Sequence, residues 1–301
     1  MSLLEAASGL ALRYVSRERF LAWRSHYHSA RAKLHPLIRT VYGSFGAAAL
    51  REHLEDRIGK NFEILMVHSS VNHMKPMYTD TPLDLVRMLI DFCGLDRTLA
   101  MPAFCFDDPA LDRSDATVAQ PPRFDLRRSA SRMGLVTELF RRSKGVLQSR
   151  HPVYRVAALG PLAEPLTRGH ESADTPCGRG TPFDFMANHE TRIIGIGKPY
   201  EVLTQVHHAE DLMGDDFPVP AKRGRSLTVT LVDGKEDIQI ELPARSLVWR
   251  RNMWKLRDIM DRDRLQEWSF HHVPMFSTSA ADVTGALIEA ANRGVTLYEK
   301  P

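Results

Sequence analysis

Cysteine is scarce: Cys93, Cys105 and Cys177 are the only three in 301 residues, widely spaced and without a CxxC pair. An odd, scattered set argues against a disulfide framework or a zinc knuckle. No apolar run approaches the ~18 residues that a membrane span needs. The opening Met1-Ser2-Leu3-Leu4-Glu5 lacks the basic start and apolar core of a secretory signal. Together these absences read as a cytoplasmic protein. No stripe of basic residues interleaved with aromatics runs along the body, so a nucleic-acid partner is not expected. The 13 histidines, with the pairs His207-His208 and His271-His272, raise a metal-dependent hydrolase as an alternative. There is no HExxH and no compact set of three ligands, so no metal is expected.

What is present is ordinary for a globular protein: 43% hydrophobic and 26% charged residues, enough chain for one large α/β domain or two small ones. The formal charge of +3 is unevenly spread. Residues 1–40 carry seven Arg and Lys against Glu5 and Glu18, a net +5, which leaves −2 on the rest. Tyr14, Phe20, Trp23, Tyr27 and Leu34 recur at helical spacing among Arg13, Arg17, Arg19, Arg24 and Arg31, so residues 1–40 read as a basic amphipathic helical extension. Such an arm is expected to pack on the body or on a second subunit of a homodimer. Contact with an anionic membrane surface is the alternative. Pro36 is expected to end the arm.

The body, 41–301, alternates apolar runs with helical stretches. Strands are expected at Glu63–His68, Thr98–Pro102, Tyr154–Leu159 and Arg192–Ile196. Helices are expected at Pro82–Cys93, capped by Thr81 and closed by Gly94, at Arg132–Ser143, and at Ala280–Arg293 with Gly294 following. Leu227–Val232 and Asp237–Leu242 flank Asp233-Gly234, a hairpin signal. This order argues for an α/β fold: a single domain with a mostly parallel central sheet covered by helices, plus an antiparallel hairpin. Asp107–Arg123, rich in Asp and Pro, is expected to be a mobile loop over a site.

Three segments carry candidate chemistry. In Thr204-Gln205-Val206-His207-His208-Ala209-Glu210, a helix would put His207 and Glu210 on one face. A histidine beside a carboxylate is a general base suited to neutral pH, and an amine attacking a thioester needs one. Ser149-Arg150-His151-Pro152 precedes a strand and falls where α/β proteins place ligands. Val67-His68-Ser69-Ser70 ends a strand in a turn able to hold a phosphate. Each pattern alone is also what an ordinary surface helix or turn looks like.

In order along the chain these segments resemble the aminoglycoside 3-N-acetyltransferase family. The matching stretches are Val67-His68-Ser69-Ser70, Met101-Pro102-Ala103-Phe104, Phe124-Asp125 with Arg132-Met133-Gly134 and Glu138, Gln148-Ser149-Arg150-His151-Pro152, and Ala157–Glu164. His170, Gly180-Thr181-Pro182-Phe183, and Thr204 with His207 and Glu210 complete the set. The resemblance runs from about residue 44 to the C-terminus and implies a domain unlike the common GNAT acetyltransferase fold, whose Gln/Arg-x-x-Gly-x-Gly/Ala loop is lacking. It implies direct transfer of an acetyl group from acetyl-CoA, as cosubstrate, to an amine of an amino sugar or aminoglycoside-like small molecule. His207 would be the base, Glu210 its partner, and Thr204 a hydroxyl near the thioester oxygen. His68, Ser69, Ser70, Val71, Ser149 and His151 would lie toward CoA. A non-catalytic relative that binds CoA or a sugar is the remaining alternative.

Two departures bear on this. Where the family runs through a Gly-rich stretch, this chain has Asn72-His73-Met74-Lys75-Pro76-Met77-Tyr78-Thr79-Asp80, with Lys75 as a candidate compensating charge. Where the family has Ser four residues after the His of His-Pro, this chain has Arg155. A cation there, and a body of low net charge, point away from a polycationic antibiotic and toward an amino sugar of a glycan or natural-product pathway. Asp211, Asp215 and Asp216 form an acidic cluster that points the other way.

Overall fold

A computed structural model describes residues 34–105, 121–243 and 245–300. The arm therefore lies outside the described residues except at its end. There His35–Tyr42 (α1) is helical with Pro36 in its first turn. Pro36 opens this helix, as suits a residue whose missing N–H is not needed in a first turn; the end expected there for the arm falls outside the described residues. The boundary drawn after residue 40 falls inside this helix. The loop expected over 107–123 also lies outside the described residues as far as 120.

The remaining helices, in chain order, are α2 (Ala47–Ile58), α3 (Val71–Met74), α4 (Pro82–Cys93), α5 (Leu135–Arg141) and α6 (Ala163–Thr167). They continue with α7 (Pro182–Ala187), α8 (Val206–Met213), α9 (Leu256–Ile259) and α10 (Ala280–Asn292). The strands are β1 (Ile64–Ser69), β2 (Thr98–Pro102), β3 (Arg123–Asp125), β4 (Leu147–Gln148), β5 (Val156–Leu159), β6 (Thr191–Ile196) and β7 (Ala221–Arg223). After them come β8 (Leu227–Asp233), β9 (Glu236–Leu242), β10 (Arg245–Leu247), β11 (Arg250–Arg251), β12 (Gln266–Phe270), β13 (Val273–Ser279) and β14 (Tyr298–Glu299).

Local chemistry sets several of these limits. Thr81 accepts from the Asp84 N–H while Asp84 accepts from the Thr81 N–H, a capping box that starts α4 where the sequence predicts. Helix α5 is shorter than the expected Arg132–Ser143. Gly134, at φ 106°, is its N-cap, and Glu138 reaches back to accept from the Ser131 N–H at 2.8 Å, so Arg132 and Met133 belong to a turn.

The central sheet has the order β12-β13-β6-β1-β2-β5-β4. Its middle, β6-β1-β2, is parallel, and the flanking pairs are antiparallel. Five of the seven strands, all but β13 and β5, therefore run in one direction, so the sheet is mostly parallel in sense although mixed in its pairings. Side chains alternate across it. Ile64 and Met66 face a core with α6 to α10, whereas Leu65 and Val67 face a second core with α2, α4 and α5. Each large apolar side chain so buried contributes roughly 1.5–3 kcal/mol relative to exposure.

The β8–β9 hairpin forms at Asp233–Glu236, but it joins β3 in a separate three-stranded sheet with its own core of Cys105, Phe124, Leu126, Val229, Leu231, Ile240 and Leu242. The hairpin that extends the central sheet is β12–β13, turning at His271 and His272, both at positive φ (47° and 62°). These histidines are turn residues: His271 Nδ1 lies 2.7 Å from the Tyr42 carbonyl, and His272 stacks on Tyr42.

Candidate active site

Open α/β sheets place ligands at the carboxyl ends of their parallel strands. Here β6, β1 and β2 end on one edge, and antiparallel β5 begins there, since Ser69 pairs with Ile196 and Pro102 with Val156. The three candidate segments follow or precede these strand ends. Two ring contacts join two of them: Tyr154 meets His151 at 5.8 Å and His207 at 5.7 Å, both edge to face.

Helix α8 carries the first segment. The His207 N–H bonds to the Thr204 carbonyl at 3.2 Å, and the Thr204 side chain is nearly covered. His207 and Glu210 are brought together, Nδ1 to Oε2 at 3.4 Å, with 23% and 9% of their side chains exposed. Two residues that sequence reasoning missed complete the group. Arg251, on β11, donates through Nη2 to Glu210 Oε2 at 2.7 Å. Tyr298, on β14, donates to Glu210 Oε1 at 3.0 Å. Burial alone would push the Glu210 carboxyl up. The hydrogen bond and charge of His207, the Arg251 charge and the Tyr298 hydroxyl outweigh it and hold the group below its ordinary value.

The second segment is buried. Ser149 has no exposed surface, and its hydroxyl accepts from the Val156 N–H at 2.9 Å. It lies 2.9 Å from His170 Nδ1, while His170 Nε2 faces the Pro176 carbonyl at 2.8 Å. A carbonyl only accepts, so the His170 proton sits on Nε2 and the Ser149 hydroxyl donates to Nδ1. His151 stacks on His170 at 4.6 Å and takes the Val153 and Tyr154 N–H groups on its Nδ1. Ser149 thus offers no free hydroxyl; it braces the ring beneath His151. Arg150 ties the same segment to the β8–β9 turn through Asp233 at 3.1 Å and Glu236 at 2.7 Å.

The third segment splits across the sheet. His68 continues the face of Ile64 and Met66, the face of α8, whereas Ser69 continues that of Leu65 and Val67. His68 Nε2 and Ser69 Oγ are buried and have no hydrogen-bond partner among the described residues. Ser70 precedes α3, and Val71 packs into the second core. Gly197, at φ 66°, lets this turn close: a Cβ there would lie 2.7 Å from the Ser70 carbonyl. Lys75 stays with its own turn, donating to the Tyr78 carbonyl at 2.8 Å.

Three of these histidines are kept neutral. Burial, with Lys198 nearby, pushes His68 down to about 3. Burial, against the Pro176 contact, brings His170 to about 4. Burial and the neighbouring His170 put His151 well below its ordinary value. The unfolded chain binds these protons below about pH 6.5 and the folded chain does not until far lower. Stability is therefore present above pH 6.5 and is lost as pH falls toward 4. Urea unfolding at pH 7 and pH 5 is expected to show a lower midpoint at pH 5 with an unchanged slope.

Two members of the acidic cluster, Asp211 and Asp215, are paired. Asp211 accepts from the Cys177 N–H at 2.9 Å with Arg245 at 3.9 Å, and burial raises its carboxyl. Asp215 pairs with Arg223. Arg155 does not reach an acceptor either. It is fully buried and donates to the carbonyls of Ala103, Leu126 and Ser129 at 2.8, 2.8 and 2.6 Å, which corrects the expectation of a cation beside the acceptor. Among the described residues no group of three or more His, Cys, Asp or Glu is placed to hold a metal. Nor, among them, is any helix long and apolar enough to cross a membrane. A cavity of about 700 Å³ opens beside edge strand β12, lined in part by Arg57, Arg257, Arg262 and Glu267, and none of the candidate residues lines it.

A family profile described as aminoglycoside 3-N-acetyltransferase matches residues 66–291. The chain belongs to the aminoglycoside 3-N-acetyltransferase family. Among curated members, aminoglycoside N(3)-acetyltransferase IX of Micromonospora chalcea is 29% identical over 179 residues, 56% of this chain and 63% of that protein. Aminoglycoside N(3)-acetyltransferase VII of Streptomyces paromomycinus is 32% identical over 195 residues, 64% of this chain and 60% of that one. The chain thus spans about three-fifths of the length of the curated relatives it matches. Solved structures share the fold: AAC-IIIb binary with CoASH at 21% identity, covering 85% of this chain and 99% of that one with a TM-score of 0.71. AAC-VIa bound to sisomicin, at 22% identity, covers 84% and 99% with a TM-score of 0.69. The fold is that of these aminoglycoside acetyltransferases and not the GNAT fold.

Proposed function

We propose that the protein moves an acetyl group from acetyl-CoA to an amine of an amino-sugar or aminoglycoside-like acceptor, by direct attack in a ternary complex, with residues 41–301 as the catalytic part and 1–40 as an extension. The observation that carries this reading is the His207–Glu210 pair, 3.4 Å apart beside the substrate edge of the sheet in a member of this family. With Nδ1 turned to the carboxylate, His207 Nε2 takes a proton from the acceptor amine as the nitrogen bonds to the acetyl carbon. The carbonyl oxygen becomes an oxyanion, to which Thr204 offers a hydroxyl. The C–S bond then breaks, and the proton passes from His207 to the departing sulfur. No redox step or metal is needed. His68 and Ser70 would meet CoA at the end of β1, Ser69 and Val71 would support that turn from the second core, and Ser149 would act indirectly, by fixing His170 and so His151.

The acceptor follows from charge. Glu210 and Asp211 on α8, and Asp215 in the turn after it, each face an arginine, so this segment presents less free negative charge than its sequence suggests. That supports an amino sugar carrying few positive charges over a polycation. The test is thiol release from acetyl-CoA with two panels, aminoglycosides and nucleotide-linked amino sugars. Turnover with either establishes the transferase, and the better panel names the acceptor class. CoA binding without turnover on any amine would favour the non-catalytic reading, and failure to bind CoA would sink both.

A further inference from the structure

Arg251 and Tyr298 lie 41 and 88 residues from Glu210 in sequence, yet all three side chains meet at one point. The short β11–β14 ladder brings them there, pairing Arg251 with Tyr298 directly. Arg251 Nε donates to the Tyr298 hydroxyl at 2.9 Å, and the guanidinium lies 5.2 Å above the Tyr298 ring. Tyr298 passes its own proton toward Glu210 Oε1, so the hydroxyl is saturated on both sides. Both terminal nitrogens of Arg251 also stand 3.2 Å from His207 ring nitrogens, Nη1 by Nε2 and Nη2 by Nδ1. The lone pair and N–H of an imidazole point away from each other in the ring plane, so a single guanidinium cannot serve both nitrogens in that plane. The guanidinium therefore lies across the ring, and the contact fixes the tilt of the imidazole.

We propose that Arg251 and Tyr298 are positioning residues that hold His207 and Glu210 as one unit, so that the pairing of β11 with β14 sets the geometry of the pair. This rests on the transferase reading for its kinetic consequences but not for its geometry. Arg251 and Tyr298 fix which carboxylate oxygen faces His207, and the Arg251 charge helps keep Glu210 ionised. Neither residue is required to touch the acceptor.

The test uses the full chain with Arg251→Met, Arg251→Lys and Tyr298→Phe. Misplacing a catalytic group by about 1 Å costs roughly a hundredfold, so Arg251→Met is expected to lose about that factor in kcat with a far smaller change in KM. Arg251→Lys keeps the charge and should recover part of it. Loss of the cation lets the Glu210 carboxyl rise, so the acid limb of the pH–rate profile moves to higher pH in Arg251→Met and stays in place in Arg251→Lys. An activity-independent readout is carbethoxylation of His207 by diethyl pyrocarbonate, followed by peptide mass spectrometry with His189 as the internal control. Arg251→Met should label severalfold faster at His207 and equally at His189. Wild-type kcat, pH profile and His207 labelling rate in Arg251→Met and Tyr298→Phe would overturn the proposal. If the wild type transfers no acetyl group, the transferase reading fails by itself, and the His207 labelling rates still decide this one. Should Arg251→Met not fold, Arg251→Lys and Tyr298→Phe carry the same comparison.

Discussion

His207→Ala is expected to lower kcat/KM for acetyl transfer by about a thousandfold, in the middle of the range general-base catalysis supplies. Melting temperature and CoA affinity should stay close to the wild type. His207 is partly exposed and its ring is not part of a hydrophobic core, so truncation leaves no large cavity. Its removal does free Arg251 and Tyr298 to close fully on Glu210, which keeps that buried carboxylate paired. Glu210→Ala differs in kind. It strands the Arg251 guanidinium in a site where only 28% of that side chain is exposed, and should cost stability as well as activity. A loss below tenfold in His207→Ala would move the base elsewhere. His151 would not be that base, because its Nδ1 accepts from two backbone N–H groups and its proton therefore sits on Nε2.

The parts of this site that the sequence made legible are those encoded within a few residues. His207 and Glu210 lie one helical turn apart, and the capping box at Thr81 and Asp84 spans three positions, so spacing alone carries both. The Arg251–Tyr298 clasp had no such signal. Its strands are two residues long, too short for any alternation, and the contact to Glu210 closes over 41 residues. The β12–β13 hairpin was hidden for a chemical reason: its two positive-φ positions hold His271 and His272 where turn chemistry leads one to look for Asn or Gly. Aromatic partners explain how it is tolerated, since His271 stacks on Phe45 and His272 on Tyr42. The over-long helix at 132–143 has the opposite origin. Met133, Val136 and Phe140 have helical spacing, but Gly134 interrupts the helix before that periodicity is honoured. Arg155 shows the limit of reading charge from sequence: a guanidinium is as able to satisfy backbone carbonyls as to face a ligand.

That burial sets up the largest stability effect expected in the molecule. Arg155→Ala should lower the unfolding free energy by about 4 kcal/mol, since two buried carbonyls and a part-buried one lose a charged donor and each unsatisfied group costs about 1–3 kcal/mol. The carbonyls belong to Ala103 on one side of residues 106–120 and to Leu126 and Ser129 on the other, so one side chain fastens the chain on both flanks of that segment. It also stands over the Phe124 ring at 5.2 Å, in contact with the small core beneath β3, β8 and β9. For a chain of this size such a loss corresponds to a fall in melting temperature of roughly 10 °C. Arg155→Lys should recover little, because one ammonium cannot reach three carbonyls set around a planar fork. Arg155→Ser removes the same donors and should lose about as much stability as the alanine variant. The decisive comparison sets thermal melting beside the acceptor KM at 20 °C. A large fall in melting temperature with an unchanged KM is the outcome the buried fork requires. An unchanged melting temperature with a raised acceptor KM would put Arg155 in the acceptor site and overturn its assignment as a structural staple.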